Sequence, residues 1–381
     1  VAATVRELVL EEPAPAEPPE QPPAADASAA TKAETSLGGR RLAAFLGLSL
    51  LLAAGISVGL VWWAHSRHLE LLPTLRAVGW QAIALALLLH LGAHLAWSGR
   101  LTLVGHGTGD GIRFGFAFRL VTAGVFGAAI TPGRTGGEGL RFLLLRRHHP
   151  EPDHALRFLL ADRTLDLCFF VAAGIPASIV LPRLVGADQA YRAVGLIGVA
   201  VFAAVLGVLV LLVVNPAALR RLGAPLERPV RRLMPRRGPS VARAVERGLA
   251  HTRDGLRILL TERRSHLAGA AVLTVAYWLL EFLVLAVLLR AFGAHVPLLA
   301  VLLGAVVLNL VTAAAITPGA SGIAELTALA IYQGMAPGLS PLFVVLWRLV
   351  TYGYDLAIGG LVAVREGMLT VGRRRRRTAS A

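Results

Sequence analysis

The chain has 381 residues, 55% of them hydrophobic, with a net charge of +15 and one cysteine. That apolar share, with a mean hydropathy of +0.65, excludes an ordinary soluble domain and points to a membrane protein. A lone Cys168 excludes an internal disulfide and a cysteine metal cluster, and a single lysine, Lys32, excludes a P-loop motor.

Residues 1–39 are rich in Pro, Ala and Glu and are expected as a disordered, acidic, cytoplasmic tail. The first apolar run starts beyond residue 40, so no signal peptide is expected ahead of it. From Leu42 to Ala64 no charge occurs, and this is the cleanest of six predicted full spans. The six fall near 42–64, 79–104, 156–182, 192–214, 266–290 and 341–364. Two further apolar regions, 114–147 and 298–335, are each broken in the middle into arms too short to span alone. The predicted fold is therefore an all-α polytopic membrane protein. It has about six full transmembrane helices and two re-entrant helical hairpins. The membrane domain covers 40–372, with a first half 40–214, an arginine-rich cytoplasmic linker 215–265 and a second half 266–372. A basic C-terminal tail, 373–381, follows. Within the linker, Val241–Leu260 carries helical apolar spacing suited to the inner leaflet or to a solvated linker helix.

Arginines concentrate in alternate connections, including Arg40, Arg41, Arg100, Arg113, Arg146, Arg147 and the linker. This bias predicts cytoplasmic N- and C-termini in a cell membrane. It also makes anionic inner-leaflet lipid the expected partner of the positive charge, rather than nucleic acid. Trp62, Trp63, Trp80 and Trp97 lie near span ends and are expected as interfacial anchors. Cys168 is expected as a small buried packing residue.

The two breaks share a segment. Ala-Ala-Ile-Thr-Pro-Gly occurs at 128–133 and again at 314–319. Proline removes a helical donor and glycine invites a reversal. In lipid, such backbone survives only where protein or a water-filled cavity satisfies it. Three full spans separate the copies, so the repeats are predicted to be inverted, as in alternating-access transporters. Each break is followed by a half-helix with a glutamate in its first turn, Glu138 and Glu325. The helix starts, near Gly136–Gly137 and near Gly322, aim unpaired N–H groups into the membrane and suit a phosphate or carboxylate. Pro132, Gly133, Pro318 and Gly319 shape the turns. Arg134 and Arg141 add positive charge, and Thr135 and Ser321 add hydroxyls. Each glutamate is either a helix cap or a pathway group that binds a proton or a cation.

Other charges fall inside the spans. Asp162, Arg163 and Asp166 lie early in the third, and Arg163 can pair with Asp166 one turn on. Arg348, Tyr352 and Asp355 share one helical face in the last. These groups either glue the bundle or touch substrate. Glu281 and Arg119 are expected to face the interior. His90 and His94, four apart, form a metal-ligand pair that lacks a nearby third ligand, so neither metal nor cofactor is expected.

At these residues the chain resembles the lysylphosphatidylglycerol synthase transmembrane region family, whose members are also called flippase-like domain proteins. The resemblance spans about residues 40–370. It rests on Pro132-Gly133-x-x-Gly136-Gly137-Glu138-x-x-Arg141 and Asp162-Arg163-x-x-Asp166, the latter with Asp where the family has Glu. It rests also on Pro318-Gly319-x-x-Gly322-Ile323-x-Glu325 and on Arg348 with Tyr352. The resemblance implies a stand-alone form, since no room remains for a soluble aminoacyltransferase domain. It further implies translocation of an anionic or head-group-modified envelope lipid, a phospholipid or a polyprenyl-phosphate-linked one. The other readings are an intramembrane transferase or phosphatase on a lipid-linked substrate, and a scaffold for an envelope glycosyltransferase. Expected partners are membrane lipids, an envelope-lipid enzyme or glycosyltransferase, and further copies of the chain.

Overall fold

Backbone polar groups in lipid must be satisfied within the chain, and uninterrupted apolar runs do this as helices. In the computed structural model every regular element among the described residues is helical. The described residues are 71–109, 111–148, 152–185, 189–214 and 263–379, all within the unit Ser49–Ala381. In chain order they form α1 (Leu71–Val78), α2 (Trp80–Gly107), α3 (Phe114–Ile130), α4 (Thr135–His148), α5 (Pro152–Val185) and α6 (Gln189–Val214). Then come α7 (Arg264–Ala291), α8 (Leu298–Thr312), α9 (Ile323–Met335), α10 (Leu342–Arg348) and α11 (Tyr354–Ala379). A π-helical turn, Leu349–Gly353, joins the last two.

Four of these stretches are long and apolar enough to cross a membrane: Trp80–Gly107, His154–Leu184, Arg264–Ala291 and Leu342–Gly367. They occupy the spans expected at 79–104, 156–182, 266–290 and 341–364. Helix α6 fills the region expected at 192–214, with Leu196–Val208 as its apolar stretch. The protein is an all-α polytopic membrane protein. The span expected at 42–64, the tail 1–39, Trp62, Trp63 and almost all of the 215–265 linker lie outside the described residues. Helix α11 runs on to Ala379, through most of the arginine-rich segment expected as a separate tail.

The outer faces are apolar, as a bilayer requires. Leu88, Val272, Ile197 and Leu361 are all well exposed. Cys168 joins them: it is exposed rather than buried. Helices are amphipathic here only in reverse, with polar groups turned inward. Small residues let α2 and α7 pack closely. A Cβ on Gly99 would lie 3.0 Å from Leu273, and one on Gly269 would lie 2.9 Å from Leu103. The larger apolar core gathers Phe170, Phe282, Leu288, Val306, Tyr332 and Phe343, and a second core joins α2, α3 and α4 around Leu101, Leu120 and Leu144.

Both breaks form where the repeated segment lies. Helix α3 stops at Ile130, and a single 3-10 turn, Pro132–Arg134, leads into α4. Helix α8 stops at Thr312, and Pro318–Ala320 makes the matching turn before α9. The backbones repeat closely: φ is 61° at Gly133 and 57° at Arg134, against 57° at Gly319 and 58° at Ala320. Arg134 and Ala320 are the two positive-φ residues other than glycine among those described. An L-residue in this left-handed region costs about 1–2 kcal/mol, so both turns hold a conformation that the neighbouring packing enforces.

Candidate functional site

The two turns pack against one another. Gly319 is what allows it: a Cβ there would strike the Tyr352 ring and come within 3.1 Å of the Ala129 carbonyl oxygen. The Tyr352 hydroxyl donates to that same carbonyl at 3.2 Å, tying the last span to the end of α3. Beside this junction lies a cavity of about 110 Å³, lined by Arg134, Glu281, Gly319, Arg348, Tyr352 and Asp355 among others.

Thr131 closes the first break from within. Its hydroxyl donates to Gly127 O at 2.7 Å and accepts the Gly136 N–H at 2.8 Å. Gly136 and Gly137 serve the hairpin itself. A Cβ on Gly127 would meet the Gly136 carbonyl at 2.6 Å, and one on Gly137 would meet the Gly124 carbonyl at 2.8 Å. Both glycines admit the facing arm of the hairpin. Thr135 spends its hydroxyl on Pro132 O at 3.1 Å. Gly322, by contrast, has open space where a Cβ would stand and is chosen for its φ of 86°.

Each break's glutamate pairs with an arginine on the following span. Glu138 Oε1 lies 2.5 Å from Arg163 Nη2, and Glu325 Oε1 accepts from Arg348 Nε at 2.6 Å. The second pair is compact. Glu325 Oε2 also accepts the Gly322 N–H at 2.5 Å, capping α9. Arg348 Nη2 donates to Gly319 O at 3.0 Å and to the buried Ser321 hydroxyl at 3.1 Å. One guanidinium thus holds the whole second turn. Pro318 starts that turn at its first position.

The first pair belongs to a larger network. Arg141 Nη2 lies 2.5 Å from Glu138, and its Nη1 donates to Asp162 at 3.1 Å. Arg163 Nη1 donates to Asp166 at 3.0 Å. The expected Arg163–Asp166 pairing is present. Arg100 completes the network, 2.5 Å from Asp162 and 2.6 Å from Asp166. Its side chain is 0% exposed, so it is not the cytoplasmic orientation charge that the arginine pattern suggested. It sits inside the predicted 79–104 span, and that position was its signal. Trp97 is likewise no interfacial anchor. It is buried, its indole N–H donates to Asp162 at 3.2 Å, and the Arg141 guanidinium lies 4.7 Å from its ring centre. Trp278 N–H donates to Asp166 at 3.1 Å. Trp80, by contrast, is 73% exposed. Three arginines face three carboxylates, so the network is neutral as a whole.

The charges of the two breaks do not share one cavity. Glu138, Arg141, Arg163, Asp162 and Asp166 belong to one ion network, buried at Arg141, Asp162 and Asp166 and half-exposed at Glu138 and Arg163, while Arg134 and Arg348 line the cavity. Long arginine stems and nearby acids let the first break satisfy itself internally. Arg134 is the exception. It is exposed, and its side chain makes no hydrogen bond or ion pair among the described residues. Arg119 also departs from expectation: its side chain is 41% exposed and pairs with Glu366 at 2.9 Å.

A third cluster joins α2, α7 and α11. His90 Nδ1 lies 2.8 Å from Glu281, and the Nε2 atoms of His90 and His94 lie 3.3 and 3.4 Å from Asp355 Oδ1. Asp355 is the third ligand that the histidine pair lacked in the sequence, 265 residues from His90. His90, His94 and Asp355 could hold a metal ion.

Comparison with known proteins agrees with this architecture. The chain is 25% identical over 288 residues to a UPF0104 membrane protein of Archaeoglobus fulgidus, covering 75% of this chain and 87% of that one. It is 25% identical over 342 residues to a UPF0104 membrane protein of Pyrococcus horikoshii, covering 84% of this chain and 98% of that one. No solved structure matches. The model of the lysylphosphatidylglycerol synthase TM region matches residues 48–359, which take in both breaks and all three clusters. By that match the chain belongs to the lysylphosphatidylglycerol synthase TM region family.

Proposed function

We propose that the protein moves an anionic or head-group-modified lipid across the cell membrane, as a flippase or scramblase. One observation carries this reading: two matched helix breaks meet at a cavity lined by Arg134, whose guanidinium has no ion pair among the described residues. An unpaired cation inside a membrane protein is costly unless something anionic visits it. A phosphate or diphosphate head group meets that need, with a guanidinium fork and the nearby helix start as donors. The two hairpins enter from opposite faces with both termini cytoplasmic, and exchange between the halves exposes the cavity to each side in turn. Family membership supports a lipid as the cargo. The pairs Glu138–Arg163 and Glu325–Arg348 hold the two breaks in register.

The test is purified protein in liposomes carrying labelled phosphatidylglycerol, scored for translocation with and without a proton gradient. Wild type should move lipid faster than protein-free liposomes. Arg134→Ala should slow it about tenfold, the equivalent of one hydrogen bond to a charged group, with thermal stability unchanged. No translocation of any anionic lipid above the protein-free rate would overturn the reading.

A further inference from the structure

We propose that His90, His94 and Asp355 form a binding site for a divalent transition metal of the zinc class, with Glu281 as its outer support. The inference stands independently of the transport reading. It begins with spacing. Zinc holds nitrogen and oxygen ligands at about 2.0–2.2 Å, which in a tetrahedron separates the ligand atoms by roughly 3.3–3.5 Å. His90 Nε2 and His94 Nε2 lie 3.3 and 3.4 Å from one and the same oxygen, Asp355 Oδ1. All three ligand atoms lie within 4.8 Å of one another. Charge-assisted N–H···O bonds run shorter, at about 2.7–2.9 Å. The His90 Nδ1–Glu281 contact, at 2.8 Å, is of that shorter kind. One cluster thus holds both distances, and each suits a different bond.

The tautomer follows from the same geometry. With Nδ1–H donated to Glu281, the His90 Nε2 lone pair is left facing Asp355. A carboxylate behind a ligating histidine is the usual outer partner of a metal site. Two histidines four apart on α2 present both rings to one side, and Tyr354 packs edge-on against them at 5.1 and 5.3 Å. Both histidines are buried, which fixes their rings. Three protein ligands leave a fourth position free. Asp355 and Glu281 both line the central cavity, so that position opens toward it and can take water or a head-group oxygen. Two imidazoles and one carboxylate suit zinc and its first-row neighbours better than magnesium or calcium.

The experiment uses tag-free full-length protein in detergent, stripped with chelator, dialysed against Zn²⁺ or Co²⁺ and assayed for bound metal. One ion per chain is expected, with the visible absorption of four-coordinate Co²⁺ and a rise in melting temperature on adding Zn²⁺. His94→Gln and Asp355→Asn should each lose the stoichiometric ion and the melting shift while eluting as the wild type does. Glu281→Gln should weaken Zn²⁺ binding about 10–100-fold without abolishing it. His106→Ala, on the exposed end of α2, should bind as wild type. Substoichiometric metal in the wild type would overturn the proposal. So would full occupancy retained in His94→Gln or Asp355→Asn, since the ion would then sit elsewhere.

Discussion

Arg100→Met is the sharpest probe of the first break. The substitution keeps the stem's bulk and removes a fully buried guanidinium held 2.5 Å from Asp162 and 2.6 Å from Asp166. Three carboxylates then face only Arg141 and Arg163, and the network, buried at Arg141, Asp162 and Asp166, carries a net negative charge. Breaking a buried ion pair by deleting one partner costs about 3–5 kcal/mol, because the partner stays desolvated. Adding Asp166→Asn restores two against two. The double variant should then recover about 1–3 kcal/mol relative to the sum of the single losses. Reversible unfolding in mixed micelles, followed by circular dichroism, measures all four corners of the cycle. A loss below about 1 kcal/mol for Arg100→Met, the value of an exposed pair, would refute the buried-network account. So would strict additivity with Asp166→Asn.

Three further outcomes can be checked in the same assay. Arg119→Ala should cost no more than about 1 kcal/mol, since its pair with Glu366 is partly open to the surroundings; a loss like that of Arg100→Met would contradict this. Gly319→Ala should disrupt the junction with Tyr352 and Ala129, whereas Gly322→Ala should cost only about 1–2 kcal/mol of backbone conformation; equal losses would show that the turns do not pack as described. Glu325→Gln should lower both stability and lipid flux, because Arg348 loses the counter-charge that lets it hold Gly319 and Ser321. If flux and melting temperature both match wild type, that glutamate is a dispensable cap.

Much of the frame could be read directly from the residues. Uncharged length marks a span, and Pro-Gly within an apolar run marks a break, because both are local properties of the chain. The pairing of Arg163 with Asp166 was legible for the same reason, as a helical spacing of three. What stayed hidden is non-local. Asp355 meets His90 and His94 only because α11 packs beside α2, and no spacing rule reports that. Arg100 and Trp97 are buried, yet in the sequence a residue near a span end looks alike whether it faces the interface or the interior. Nor does a sequence say whether the space beside Gly136 and Gly137 faces a ligand or another backbone; a Cβ at either would meet the facing arm of the hairpin. Cys168 shows the limit of hydropathy: an apolar neighbourhood fits a protein core and a lipid-facing surface equally well.

The π-helical turn at Leu349–Gly353 sets the phase of the last span. In an unbroken α-helix Arg348 and Asp355, seven positions apart, would point almost the same way, since each residue advances about 100°. The wide turn uses an extra residue, so the helix beyond it is rotated with respect to the helix before it. Arg348 can therefore grip the second break while Asp355 reaches across to the histidines of α2. One rod thus addresses two neighbours on different bearings. Winding that turn as ordinary α-helix at its present length would leave both flanking helices intact yet swing Asp355 about 100° away from His90 and His94. The third cluster is joined to the breaks through a single rotational setting, and that setting rests on five residues of the turn.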